Sequence, residues 1–145
     1  MMRCVGFERE EAAEEWARNK LKLEEKPEFF RAMAAVDKDE NFVCVVVFTN
    51  FTSRNVDVNI AMETKKMRPK GTIIMFNDVF SFVFDKLHIK RVTGLTAGKN
   101  AKARNIIEHF GFKLEGIMRE ALPNDDLHVY GFLADEYNNH AWRRG

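Results

Sequence analysis

Two stretches of this 145-residue chain concentrate the side chains best suited to chemistry. The first reads ETKKMRPKGT from Glu63 to Thr72 and carries four cations, Lys65, Lys66, Arg68 and Lys70, with no acid after Glu63. Cations and a glycine on a loop that enters a helix are suited to a phosphate, because unpaired backbone N–H groups of the first helical turn add to side-chain charge. The same cluster also reads as an ordinary solvated face. The second stretch surrounds Asn100, with Lys90, Lys99, Lys102 and Arg104 nearby. Asn100 is suited to cap a helix, to touch a ligand, or both. Glu63, Asp57 and His128 are titratable groups in or near these stretches, and each reads as a plain surface carboxylate or imidazole until a reaction that needs a base is implied. There is no CxxC or HExxH, and His88, His109, His128 and His140 lack ligand spacing, so no metal centre is expected. No Cys–His or Ser–His pairing suggests a covalent nucleophile.

Composition places these residues in one soluble globular domain spanning 1–145. Hydrophobic residues make up 46% and charged residues 31%, and the formal net charge is only +1. That sum hides a segregation. Residues 65–104 hold 10 Lys/Arg against Asp78 and Asp85, a net of +8, while 1–48 and 105–145 are each at −3. A cationic middle between acidic ends implies that part of the surface meets an anion. The apolar runs 43–48 and 73–76 are far shorter than the roughly 20 residues needed to span a bilayer, so no membrane association is expected. Absence of a signal-peptide pattern in MMRCVGFEREE points to the cytoplasm, where Cys4 and Cys44 read as free thiols rather than a disulfide.

The elements that must position these groups follow from periodicity. Residues 9–22 predict a helix with Ala12, Ala13, Trp16 and Ala17 on its apolar side, acidic at its start and basic at its end. Pro27 suggests a second short helix through Val36. Residues 42–49 read as a strand covered on both faces, burying Cys44, and 56–62 alternate as a half-buried strand. Ile73, Phe76, Phe80, Val83, Phe84 and Leu87 recur at spacings of 3 and 4, predicting a largely buried helix over 72–87 with Asn77, Asp78, Ser81 and Asp85 as its polar stripe. Residues 91–96 form a strand and 100–110 a helix that Gly111 ends in a conformation glycine accepts cheaply. Strands at 112–119 and 128–133 flank a turn around Pro123. Residues 3–7 offer at most a short first strand. The β–α–β–α–β run implies crossover helices on a mixed sheet.

From 89 to 120 the sequence, IKRVTGLTAGKNAKARNIIEHFGFKLEGIMRE, resembles the second half of a GCN5-related N-acetyltransferase (GNAT), in particular the ribosomal-protein N-terminal acetyltransferase branch. The pattern consists of Arg91-Val92, Asn100, Gly111-Phe112, Glu115-Gly116 and Arg119, followed by Asp126, Tyr130, Leu133 and Glu136. The resemblance covers about residues 55–136. It implies an α/β fold with a mixed, mostly antiparallel sheet, a splayed parallel strand pair and helices on both faces. It also implies acetyl-coenzyme A in the gap between those strands.

Carried onto this chain, the resemblance assigns cofactor contacts to Ala61 and Met62 on the strand, to Lys66, Met67, Arg68, Lys70, Gly71 and Thr72 in the loop, and to Asn100. The backbone of Met62 would stabilise the oxyanion and Glu63 would be the base. Tyr130 and Glu136 are expected to pack and pair. Phe29, Phe30 and Phe51 fall in segments that shape the acceptor groove. The partners are a coenzyme A thioester and an amine acceptor, protein N-terminus or small molecule, in a chain free to form a homodimer. Four positions depart from the family pattern. Ile73 replaces a small loop residue, Pro69 removes an amide donor, and Ile107 and Ala103 stand where members carry a tyrosine or serine acid.

Two other readings compete. One keeps the fold as a catalytically silent acyl-coenzyme A-binding module. The other makes 65–104 a nucleic-acid face, weakened because Phe76, Phe80, Phe82 and Phe84 fall on a helix predicted to be buried.

Overall fold

The computed structural model describes residues 2–144. Its elements run β1 (Arg3–Gly6), α1 (Glu10–Leu21), β2 (Arg31–Val36), β3 (Phe42–Thr49), β4 (Asn55–Met62), α2 (Pro69–Phe80), β5 (Arg91–Ala97), α3 (Ala101–His109), β6 (Lys113–Leu122), β7 (Asp125–Leu133) and α4 (Ala134–Asn138). A 3-10 turn at Thr64–Lys66 precedes α2, and a wider π-turn segment, Ser81–Lys86, continues it. The strands form one seven-stranded sheet in the order β1-β2-β3-β4-β5-β7-β6. Every neighbouring pair is antiparallel except β4–β5.

Helices cover both faces. Ala13 and Ala17 of α1 pack with Ala32, Ala34, Val45, Val47 and Ala61 on one face. On the other, Met75, Phe76, Val79, Phe80 and Val83 meet Val46, Phe48, Val58, Ile60 and Phe132. Strand β3 therefore needs apolar residues on both sides, and 43–48 are buried throughout, whereas β4 alternates and keeps Asp57 and Asn59 half-buried. The aromatic cluster includes Phe76, Phe80 and Phe84, all buried, and leaves Phe82 partly exposed. The faces of these rings are spent on packing, which removes the base-stacking platform a nucleic-acid site would use.

Three sequence expectations are corrected. Residues 31–36 form a strand, not a helix: Ala32 to Val36 are at most 7% exposed and are clamped between β1 and β3. The few tenths of a kcal/mol per residue by which alanine favours helix yield to two ladders of hydrogen bonds and full burial. The short first strand expected within residues 3–7 is present as Arg3–Gly6, paired through Arg3↔Val36 and Cys4↔Ala35. Ala12 is exposed, and the buried stripe of α1 is Ala13, Glu14 and Ala17 instead. Helix α2 starts at Pro69, three residues ahead of Thr72, because proline's fixed φ suits the first helical position.

Candidate active site

The parallel strands β4 and β5 pair only along Asn55–Val58 and Arg91–Gly94. Beyond that rung β4 stays on β3 and β5 stays on β7, so residues 59–62 and 95–97 line an open, V-shaped gap. Glu63 donates its N–H to Val43 on the β3 side at 2.7 Å. Since N–H directions alternate along a strand, Met62 and Ile60 turn theirs into the gap. These are the amides an extended ligand arm could pair with and a developing oxyanion could use.

The first turn of α2 forms the next wall. No side chain caps this helix, Pro69 has no N–H, and Thr72 returns its own N–H to Arg68 O at 2.9 Å. The amides of Lys70 and Gly71 remain for an anion, fewer than an unbroken glycine-rich loop would supply. Side-chain charge surrounds them unevenly. Lys66 is committed to Asp37 at 2.8 Å, and its ammonium holds that carboxyl below the usual range. Arg68 folds back on the carbonyls of Lys65 and Met67, each at 3.0 Å. Lys65 and Lys70 are exposed. The space beside Gly71 is taken by Met2, whose methyl lies 3.0 Å from where a Cβ would stand. An uncapped twelve-residue helix, two open amides and four cations are a donor set suited to a pyrophosphate.

Asn100 caps α3, its Oδ1 accepting from Ala103 N at 3.1 Å. Lys99 reaches Asn124 O at 2.6 Å, and Arg104 reaches Gly98 O at 2.9 Å. Tyr130 is buried and donates to Glu108 at 2.6 Å. Glu136 receives the Leu133 N–H and pairs with Lys113. Both thus pack and pair. Ile107, where a tyrosine acid would stand, is buried over Gly94, its Cδ1 3.2 Å from where a glycine Cβ would be.

Cavities open on both faces of the sheet near the gap. On the α2–α3 side a 260 Å³ pocket is lined by Met62, Met67, Thr72, Ile106, His109 and Trp142. Trp142 comes from the C-terminal segment, which Asn77 holds through Trp142 O at 2.8 Å and Arg144 N at 2.9 Å. Sequence reasoning missed this wall, since nothing local ties residue 142 to residue 77. On the α1 side an 870 Å³ cleft has Asn59 and Leu95 at its floor and Glu25, Glu28, Phe29 and Phe51 among its walls. Glu14 and Arg18 inside it are satisfied by each other at 3.0 Å. Of the aromatics expected at an acceptor groove, Phe29 and Phe51 line this cleft, whereas Phe30 turns instead toward the core around α1.

Glu63 projects on the α1 side, where Lys20 pairs with it at 3.1 Å. That lysine is the main reason its carboxyl lies below the ordinary range. Asp57 is bound by Asn50 and Asn55 at the closed end of the strand pair, away from the gap. The thiols of Cys4 and Cys44 are free, and burial pushes each up to about 12. Among the described residues, no helix is long and apolar enough to cross a membrane.

Residues 1–113 match the family model described as acetyltransferase (GNAT) domain. The chain belongs to that family, and with membership come acetyl-coenzyme A as cosubstrate and an amine nitrogen as acceptor. No curated protein matches. Among solved structures, a dodecameric spermidine N-acetyltransferase from Vibrio cholerae is similar with a TM-score of 0.72 at 15% identity, covering 97% of this chain and 98% of that one. The Vibrio cholerae enzyme in complex with coenzyme A and spermine has a TM-score of 0.70 at 18% identity, covering 95% and 98%. A GNAT-family acetyltransferase from Bacillus anthracis gives 0.60 at 14% identity, covering 72% and 67%. At such identities the likeness establishes the fold alone.

Proposed function

We propose that this chain transfers acetyl from acetyl-coenzyme A to the primary amine of a small cationic acceptor by direct attack on the thioester. The observation that carries the reading is the gap itself, which meets a phosphate-suited helix end and pocket on one face and the 870 Å³ cleft on the other. The thioester arm lies along β4 against the amides of Ile60 and Met62, with its pyrophosphate at Lys70 and Gly71 and near Lys65, Lys66, Arg68 and Thr72. Ala61 and Met67 border that path, and Asn100 shapes the facing helix end.

The acceptor enters from the α1 side. Glu25 and Glu28 attract an ammonium, and Phe29 and Phe51 offer ring faces to it. Glu63, ionised at neutral pH and on the same side, takes the proton of the attacking amine through water. The Met62 N–H receives the charge that develops on the carbonyl oxygen. A spermidine-type polyamine fits this cleft, and the names of the Vibrio cholerae neighbours support the class. The ordered motifs from Arg91 to Glu136 support placement near the ribosomal-protein N-terminal acetyltransferases, which makes a peptide N-terminus the second acceptor to test. We take residues 1–145 as one acyltransferase domain, located in the cytoplasm in keeping with two free thiols, and able to pair as a homodimer.

Coenzyme A release measured across polyamines, amino sugars and peptide N-termini tests the proposal. Turnover with a cationic amine, lost on Glu25→Gln/Glu28→Gln, is the expected result. Tight acetyl-coenzyme A binding without release from any amine would favour a silent binding module.

A further inference from the structure

The departing sulphur of a thioester needs a hydrogen bond, and neither Ile107 nor Ala103 has one to give. Thr96 lies on the wall of the gap, two residues beyond Gly94, where the β4–β5 pairing stops. Side chains alternate along β5, and Gly94 sits beneath Ile107 and Phe112; Thr96 therefore faces the α3 side, the side assigned to the thioester arm. It is 5% exposed, and its Oγ1 has no hydrogen-bond partner among the described residues. Burying a hydroxyl unpaired costs about 1–3 kcal/mol, so such a group ordinarily reports a missing ligand or water. Thr93, three residues earlier and on the opposite face, shows the contrast: its hydroxyl is satisfied by Asn55 at 2.6 Å and Arg91 at 3.0 Å.

A second orphan stands beside the first. His128 on β7 is the direct rung partner of Thr96 and shares its face. Its Nδ1 is also buried without a partner among the described residues, while Nε2 lies against Gly98, 2.8 Å from where a Cβ would stand. Gly98 therefore admits the ring that any larger residue would displace.

We propose that Thr96 Oγ1–H donates the hydrogen bond that stabilises the leaving sulphur. The assignment rests on the transferase reading. The amine nitrogen forms the new C–N bond, the C–S bond breaks, and its electron pair goes to sulphur as a thiolate. The proton lost by the amine leaves through Glu63 and water. Thr96 keeps its own proton throughout and lowers the energy of the thiolate by hydrogen bonding alone.

The test compares wild type with Thr96→Val, which keeps the shape without the hydroxyl, and Thr96→Ser, which restores it. Acetyl-coenzyme A and free coenzyme A are titrated by calorimetry at pH 9, where the free thiol ionises, and kcat is measured with an accepted amine. In Thr96→Val, acetyl-coenzyme A affinity should stay within about 2-fold while thiolate affinity and kcat fall about 10–100-fold, the range for loss of one hydrogen bond to a charged group. Thr96→Ser should recover most of both. The melting temperature of the unliganded valine variant should hold or rise, because an unpaired hydroxyl has been removed. Wild-type kcat and thiolate affinity in Thr96→Val would overturn the assignment and leave the transferase reading standing. Equal loss of both ligands would make Thr96 a packing residue and overturn it too. A wild type that binds neither ligand would instead bring down the transferase reading, and this assignment with it.

Discussion

Glu63 stands one residue past the strand edge whose amides face the gap, and Lys20 fixes it on the acceptor side at 3.1 Å. Its lowered titration makes it a carboxylate across neutral and mildly acidic pH, so any acid limb of the rate near neutrality must come from another group. Glu63→Gln should lower kcat/KM about 100-fold, the lower end of general-base effects, with acetyl-coenzyme A affinity unchanged. A calorimetric titration beside steady-state kinetics checks both halves, and an unchanged kcat/KM would exclude Glu63 as the base. The sequence revealed the residue but not its partner, because 43 positions separate Lys20 from Glu63. The orphaned hydroxyl of Thr96 was equally hidden. A threonine in a strand reads as β-propensity, and only the register with His128 and the end of the β4–β5 ladder expose it.

At the level of elements, the apolar spacing from Ile73 to Leu87 predicted one buried helix where the chain builds α2 and then a π-turn segment. Spacings of 3 and 4 mark a buried face without fixing the hydrogen-bond pattern beneath it. The polar stripe acquires a purpose in the structure. Asn77 binds the C-terminal segment through Trp142 O and Arg144 N, and Asp85 receives the Tyr137 hydroxyl at 3.1 Å. Asn77→Ala should cost about 1–2 kcal/mol, two hydrogen bonds at ordinary net value. Hydrogen exchange should show residues 140–144 losing protection before the sheet does; unchanged protection would mean that packing of Trp142 alone holds the segment. The helix expected at 27–36 failed for the opposite reason, since pairing on both sides of β2 overrides what an alanine-rich run prefers locally.

For the whole molecule, the charge segregation survives folding as a division of labour. Cations gather at the start of α2, and Glu25 and Glu28 stand at the cleft on the other face. The family was legible because its motifs lie in one continuous stretch, whereas the acceptor cleft is assembled from α1, residues 23–29, β3, β4 and β5 and has no linear signature. Global stability should also depend on pH through His140. Burial lowers its titration, and its Nδ1 accepts the Trp142 N–H at 3.0 Å while the ring stacks on Phe76. The folded state binds that proton less readily than the unfolded chain, so this contribution is present above about pH 6.5 and is lost as pH falls through the lower folded value. Melting temperatures should therefore drop between pH 7 and pH 5.5, and His140→Gln should flatten that slope; an equally steep slope in the variant would assign it to other groups.

The account stands on acetyl-coenzyme A lying in the β4–β5 gap with its phosphates at the start of α2. Thermal shift of wild type against Lys65→Glu/Lys70→Glu addresses this directly, since those two lysines are exposed beside the open amides while Lys66 and Arg68 are tied to the protein. Saturating ligand, at about 100 times Kd, should stabilise wild type by roughly 2.7 kcal/mol. The double variant should melt at a similar temperature alone and lose most of the ligand-induced rise. No rise in wild type, or an undiminished rise in the variant, would contradict the placement.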